Sequence, residues 1–254
     1  ITKKTKAVIP VHWGGASPNM KKIKKLCDNY EIFIIEDACM GIGALENGQH
    51  PGTTGNVNAF SMHPLKSLNA MGDGGMVVTD DKDLASWLRK YRNHGMIDRD
   101  HIEFWGVNMR MQPLQAIVGC HGLDKLSKVI NKRNANARIL DKGFAMLNEF
   151  VSVPKRIENN TETFALYMAL FDKRDELKQY LIDNDVEVKI HYPIPLHLQK
   201  ASIENCRFDK NKLKNVEYQS KRLLTIPVHQ FLNEKHMHWV LEKTFKFYGK
   251  KYEY

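Results

Sequence analysis

The residues with the clearest capacity for chemistry lie in Phe60-Ser61-Met62-His63-Pro64-Leu65-Lys66, ahead of Gly72-Asp73-Gly74-Gly75. Val57 to Ser61 alternates as a strand does, and Pro64 fits the loop that follows. The glycines permit backbone angles and close approaches that a side chain would block. Met76-Val77-Val78-Thr79 then resumes the extended pattern. Lys66 is therefore expected on a constrained loop between two strands. An amine pinned there, partly desolvated, can lose its proton near neutral pH and attack a carbonyl. A loop lysine is more often simply solvated, so the assignment needs partner groups.

The partner groups lie upstream. Glu31 to Asp37 reads as a buried strand ending in an acid. A carboxylate at the C-terminal end of a parallel strand stands where open α/β sheets bind ligands. Pyridoxal phosphate needs a lysine for its aldehyde, a carboxylate to keep its pyridine nitrogen protonated, and donors for its phosphate. Lys66, Asp37 and Ser61 can supply one each.

The elements that must position these groups follow from periodicity. Ala7 to His12 reads as a buried strand, and Ser17 as the cap of a helix with Pro18 first, running to about Tyr30. The strand ending at Asp37 completes a right-handed βαβ unit. Gly41, Gly43, Gly48, Gly52 and Gly55 mark the loops before the strand that carries Ser61. Leu84, Trp87, Leu88 and Tyr91 recur at helical spacing behind aspartates. Long helices are expected from Gln112 to about Leu147, then a boundary near Phe150 to Pro154. Beyond it, Phe164 to Phe171 and Val186 to Ile190 read as strands flanking a helix from Lys173 to Ile182. A last amphipathic helix carries Met237, Val240, Leu241, Phe245 and Tyr248. The expected organisation is an α/β domain over residues 1–150 and a small α+β domain over 151–254.

Composition bounds the class. The chain has 254 residues, 43% hydrophobic and 26% charged, ordinary for a globular core. Cys27, Cys39, Cys120 and Cys206 form no CxxC pair, which argues for a reducing compartment and against a zinc site. No apolar run reaches membrane-spanning length and no signal peptide is visible, so a cytoplasmic protein without membrane contact is expected. The net charge of +9 invites a nucleic-acid reading, with lysines clustered at Lys3 to Lys6, Lys21 to Lys25, Lys210 to Lys214 and Lys250-Lys251. No cluster sits in a nucleic-acid-binding motif. The second lies opposite the apolar stripe Met20, Ile23, Leu26, Cys27 and Tyr30, and reads as a solvated face. A basic surface also suits a nucleotide diphosphate.

Six motifs in order carry a family resemblance: Ile35-Glu36-Asp37-Ala38, the Phe60 to Lys66 segment, Gly72 to Thr79, Arg92-Asn93-His94-Gly95, Gly106 to Met111 with Asn108 and Arg110, and His191-Tyr192-Pro193 through Pro195-Leu196-His197. They resemble the nucleotide-sugar aminotransferases of the DegT type, which are fold-type I pyridoxal phosphate enzymes. The likeness covers essentially the whole chain. It implies a mainly parallel large-domain sheet, incomplete here, and a small C-terminal domain. It implies Lys66 as the lysine that carries the cofactor, Asp37 beside the pyridine nitrogen, and Ser61 on the phosphate. Asn108 is implied to reach the phosphate of a neighbouring subunit, which makes the enzyme a homodimer with shared sites. Arg110, His191, Tyr192 and His197 resemble substrate-side residues. His94 is open between site and loop packing, and His236 and His238 read as solvent-facing.

Two departures from the family stand out. Met40 occupies a position near the cofactor ring where the family has Gln or His, and a thioether is a weak acceptor and no donor. The N-terminal part of the family, with its phosphate loop and stacking aromatic, has no counterpart here, so the chain is expected to be a fragment or a degenerate member. The implied activity is transfer of an amino group from an amino acid, glutamate foremost, to a nucleotide-linked keto sugar. The alternatives are a keto-cyclitol acceptor and a non-catalytic homologue.

Overall fold

The computed structural model describes residues 1–208 and 213–253, so part of the Lys210 to Lys214 cluster lies outside the described residues. In chain order the elements begin β1 (Ala7–Val8), α1 (Met20–Asn29), β2 (Phe33–Asp37), β3 (Leu45–Glu46), β4 (Val57–Ser61), β5 (Gly75–Val78), α2 (Lys82–Tyr91) and α3 (Pro113–Leu123). They continue with α4 (Leu126–Ala145), β6 (Val151–Ser152), β7 (Asn160–Thr161), β8 (Tyr167–Phe171), α5 (Arg174–Ile182), α6 (Lys200–Asn205), α7 (Lys214–Ser220), β9 (Leu223–Ile226) and α8 (Glu234–Phe247). The chain divides into two compact units, Ile1–Asn131 with Ile157–Ala165, and Lys132–Arg156 with Leu166–Tyr254. The division differs from the expected boundary near Phe150 because α4 is one continuous helix. Leu126 and Ile130 at its start join the core of the first unit, while Leu140 and Phe144 near its end are buried in the second.

In the first unit the sheet runs in the order β1-β2-β4-β5. β1, β2 and β4 are parallel and β5 returns antiparallel to β4. α1 packs Met20 and Cys27 against Ile32 and Ile34, while a second cluster joins Met62, Leu68 and Ala70 to Leu126 and Ile130. Each Met, Leu or Ile among them contributes roughly 1.5–3 kcal/mol on burial.

Several local expectations are corrected here. The first strand is short, since only Ala7 and Val8 pair regularly with β2 before an isolated bridge from Val11 to Asp37. Neither β1 nor β2 is buried on both faces: Ala7 and Phe33 are exposed, whereas Ile34 and Glu36 on the opposite face of β2 are buried. Ser17 does not cap α1. Asn19 does, its Oδ1 accepting from Lys22 N at 3.0 Å, and the buried Glu46 carboxylate takes the Met20 N–H at 3.1 and 3.2 Å. Leu26 and Tyr30 face outward, so the packed stripe of α1 is narrower than the sequence suggests.

In the second unit an antiparallel sheet, β6-β8-β9, accompanies α5 and α8. Its core holds Phe144, Tyr167, Phe171, Leu181 and Leu241. The strand expected from Phe164 begins only at Tyr167, because Phe164 adopts φ 45°. The strand expected over Val186 to Ile190 reduces to one bridge, Lys189 to Thr225. Asn233 and His236 form the capping box of α8, and His238 is half-buried with its Nδ1 2.7 Å from Tyr252 Oη, so only His236 faces solvent as expected.

Candidate active site

The sheet places two chemistry-bearing strand ends side by side. Asp37, the last residue of β2, lies in register with Ala59 of β4, and β4 ends two residues later at Ser61. Because the strands are parallel, both ends open on the same rim. The loop that carries Lys66 is closed locally. Lys66 N donates to His63 O at 2.9 Å, Met62 N to Gly74 O at 2.8 Å, and Ala70 N to Met62 O at 2.9 Å. Gly75 is required where β5 returns, since a Cβ there would lie 2.5 Å from Phe60 O.

Lys66, Ser61, Cys39, Met40, Ile42, Ser67, Leu68 and Ala165 line one narrow crevice, closed to a water-sized probe. Asp37 stands at its edge, with Oδ1 accepting from Cys39 N at 3.2 Å. Burial, the hydrogen bond to Asp37 and the negative charge of that carboxylate push the Cys39 thiol up to about 11, against the opposing pull of the Lys66 ammonium. The Cys39 thiol, Asp37 and Lys66 therefore share one electrostatic neighbourhood. Met40 is held from two sides: its carbonyl accepts from Thr163 Oγ1 at 2.7 Å, and its Sδ from Gly14 N at 3.3 Å. Ser61 Oγ accepts from His63 N at 3.3 Å, which leaves its own hydrogen to donate.

Directly behind Asp37 lies a clamp that sequence reasoning missed. Glu36, with no solvent exposure, accepts from Gly52 N, Thr54 N and Gly55 N at 2.8, 2.7 and 2.6 Å and from His12 Nε2 at 2.7 Å. Burial alone would raise its pKa. The hydrogen bonds from His12 and from the Gly52, Gly55 and Thr54 amides overcome that and hold it below the ordinary carboxylate value. The signal was present in the sequence as a charge inside an apolar strand, followed by a loop carrying Gly52 and Gly55.

A family model, DegT/DnrJ/EryC1/StrS aminotransferase family, matches residues 1–245. The chain belongs to this DegT family. Among similar curated proteins, a Pleiotropic regulatory protein of Geobacillus stearothermophilus is 32% identical across 98% of this chain and 67% of its own length. The dTDP-3-amino-3,4,6-trideoxy-alpha-D-glucose transaminase of Streptomyces venezuelae is 32% identical across 90% of this chain and 60% of its own. The crystal structure of S. venezuelae DesV in complex with a ketimine intermediate matches with a TM-score of 0.91 and 31% identity, over 97% of this chain and 66% of that one. The chain thus spans about three-fifths to two-thirds of the length of these relatives.

Of the remaining sequence candidates of this DegT-family chain, Asn108, Arg110 and His94 are not among the crevice-lining residues, and the others belong to the second unit. Asn108 and Arg110 are exposed on a loop that folds back on the end of α2, with Asn93 bridged to Asn108. Arg110 Nε donates to Asn108 Oδ1 at 2.9 Å and Nη1 to Asn93 Oδ1 at 3.0 Å, so the guanidinium fixes both amides. His94 adopts φ 62° and donates its backbone N–H to Val107 O, which makes it a turn residue of the same loop. In the second unit, His191 Nδ1 lies 2.9 Å from Thr225 Oγ1, His197 Nε2 lies 3.0 Å from Glu217 Oε1, and Tyr192 is exposed. Among the described residues no group of three or more His, Cys, Asp or Glu is arranged to hold a metal, and no helix is long and apolar enough to cross a membrane.

Proposed function

We propose that this chain carries the cofactor-binding lysine of a pyridoxal-phosphate-dependent aminotransferase that moves an amino group from an amino acid, glutamate foremost, to a nucleotide-linked keto sugar. The observation that supports it most is the convergence of Lys66, Ser61 and Asp37 on one rim of the sheet, in a family whose Streptomyces venezuelae relative is named a sugar transaminase. The groups present suit the cofactor in type: an amine, a carboxylate touched by a backbone N–H, and the Ser61 hydroxyl with its hydrogen left to donate. When bound, pyridoxal phosphate supplies an electron sink for the charge left at the donor Cα as its proton departs.

The residues divide the work by chemistry. Lys66 Nζ would hold the cofactor through its aldehyde, and as a free amine it would serve as the base that takes the proton from the donor Cα. The Asp37 carboxylate would keep the pyridine nitrogen protonated. Ser61 would hold the phosphate, joined by Asn108 from a neighbouring subunit of a homodimer, and Met40 would lie beside the ring. Arg110, His191, Tyr192 and His197 serve the substrate. The basic surface attracts the nucleotide diphosphate, and the setting is the cytoplasm.

A second reading, a non-catalytic protein on the same fold, is favoured by Met40, whose thioether offers no donor where a polar contact to the ring would stand. Borohydride reduction of the cofactor-loaded full-length protein, followed by peptide mapping, separates the two. A pyridoxyl label confined to Lys66 and lost in Lys66→Ala is expected. A label on another lysine overturns the assignment, and no label at all favours the non-catalytic reading.

A further inference from the structure

The loop between β2 and β3 carries two of the residues that share the crevice with Lys66, and its shape is set from a distant part of the chain. Gly41 N donates to Ala38 O at 2.9 Å, which closes residues 38–41 into a turn with Cys39 and Met40 at its centre. Both central residues line the crevice, and the Cys39 N–H reaches back to Asp37 Oδ1 at 3.2 Å. The Met40 carbonyl is taken by Thr163, whose fully buried side chain donates from Oγ1 at 2.7 Å across 123 residues of sequence. The same oxygen accepts from Ala165 N at 3.3 Å, and Ala165 is a further wall of the crevice. Thr163 is itself seated on the Trp13–Gly15 turn. Its N–H donates to Gly15 O at 3.1 Å, a Cβ on Gly15 would overlap its hydroxyl, and Gly14 N donates to Met40 Sδ at 3.3 Å. One hydroxyl thus ties three segments of the first unit together at the crevice.

We propose that Thr163 is a positioning residue for the lysine site, its hydroxyl holding the Met40 carbonyl and through it the turn that braces Asp37 and Cys39 beside Lys66. The inference rests on the pyridoxal phosphate reading and adds a residue that lies in none of the sequence motifs. A carboxylate that must keep one orientation needs its neighbours locked by packing and hydrogen bonds, because small misplacements at a reacting group lower rates steeply. Removing the hydroxyl leaves the Met40 carbonyl and the Ala165 N–H without their partner, so the turn relaxes and the Cys39 N–H moves away from Asp37. The Thr163 methyl group contributes packing alone. Hydroxyl and methyl therefore separate in their effects: the first governs the crevice and the second governs stability.

The test compares wild type, Thr163→Val and Thr163→Ser as full-length protein. The readouts are thermal unfolding, iodoacetamide alkylation of Cys39 in the cofactor-free protein, and the pH at which the visible absorbance of the lysine-bound cofactor changes form. Thr163→Val keeps the volume and loses the hydroxyl. It is expected to alkylate several-fold faster at Cys39, which escapes the carboxylate that keeps its thiol protonated. Its absorbance midpoint should rise, because a less well held Asp37 leaves less positive charge on the ring to draw the proton from the Lys66 nitrogen. Thr163→Ser is expected to lose stability with the methyl group and to keep both crevice readouts at wild type. A folded Thr163→Val with wild-type alkylation and midpoint overturns the proposal, and so does a Thr163→Ser that changes both readouts as Thr163→Val does. In a protein that binds the cofactor, a change in one readout alone shows a movement that stops short of Lys66 and overturns it as well. If Thr163→Val does not fold, Thr163→Ala takes its place in the same comparison. Failure of both shows that the hydroxyl serves the whole fold, which also overturns the positioning role. A wild type without lysine-bound absorbance defeats the pyridoxal phosphate reading, while the alkylation rates still decide whether Thr163 holds the turn.

Discussion

Glu36 Oε2 lies 2.7 Å from His12 Nε2, and both side chains are fully buried. The same carboxylate gathers the Gly52, Thr54 and Gly55 N–H groups, so one residue of β2 fixes the loop that feeds β4. Asp37 is the next residue along β2, and Ser61 ends β4, so the clamp braces the two strand ends beside the Lys66 loop. Glu36→Ala strands three backbone donors and a buried imidazole, and is expected to destabilise the protein by about 3–5 kcal/mol. Urea unfolding checks this.

The same pair gives a pH signature. The folded pKa of Glu36 lies below its ordinary value of 4.5, so its contribution is present above that value and is lost as pH falls through the folded one. Wild-type stability is therefore expected to drop in acid below about pH 4.5. Glu36→Gln, less stable near neutrality, should lack that portion of the slope. Parallel slopes for the two proteins in urea unfolding from pH 3 to pH 7 would remove Glu36 as the cause.

Cys39 offers an independent probe of the rim. With its thiol pushed up to about 11, it stays protonated at neutral pH, and the thiolate is the reactive form. Alkylation of Cys39 by iodoacetamide at pH 8 is expected to lag behind the exposed Cys120 and Cys206. Asp37→Asn removes a hydrogen-bonded negative charge that raises this pKa, so Cys39 should react several-fold faster in that variant. An unchanged rate, followed by mass spectrometry, would place Asp37 out of electrostatic reach of the crevice.

What the sequence disclosed and what it hid divide along one physical line. The Lys66 loop was legible because its signals are local: strand alternation to Ser61, Pro64, then Gly72 to Gly75. The helix at Met20 was legible too, but not its start. Asn19 was passed over in favour of Ser17, and the second N-terminal acceptor is Glu46, supplied from a distant part of the chain. The Phe164 strand failed for a related reason, since the Thr163 hydroxyl is committed to the Met40 carbonyl and the backbone turns there instead of extending. β9, Leu223–Ile226, escaped notice because four apolar and β-branched residues between helices carry too little periodicity to distinguish a strand. The Glu36 clamp depends on contacts across the fold that pattern alone cannot specify.

Gly95 tests the loop that carries Asn108. It adopts φ 72°, and a Cβ there would lie 1.6 Å from Phe104 O, so backbone must move to admit any side chain. The left-handed geometry alone costs an alanine about 1–2 kcal/mol. Gly95→Ala should therefore displace residues 93–110, and in the full-length protein weaken both dimerisation and cofactor retention. Sedimentation velocity with bound-cofactor absorbance reads both. Normal values for each would show that the loop shape is immaterial to the assembly.

The last expectation concerns which subunit Asn108 serves. Its side chain is exposed, bound by Arg110, and absent from the residues lining the Lys66 crevice. A donor held outward in this way suits a phosphate in a neighbouring subunit better than one in its own crevice. In a homodimer with shared sites, mixing Lys66→Ala and Asn108→Ala full-length subunits yields hybrids in which one site carries both defects and the other carries neither. Each parent is expected to be inactive or nearly so, and the mixture to recover activity in proportion to the hybrid fraction measured by mass spectrometry, up to half the wild-type rate per hybrid dimer. Hybrids that form without recovery would mean that Asn108 acts within its own subunit or that the two sites are coupled. A fully active Asn108→Ala parent would remove Asn108 from the site altogether and leave its role as a partner of Arg110 in shaping the loop.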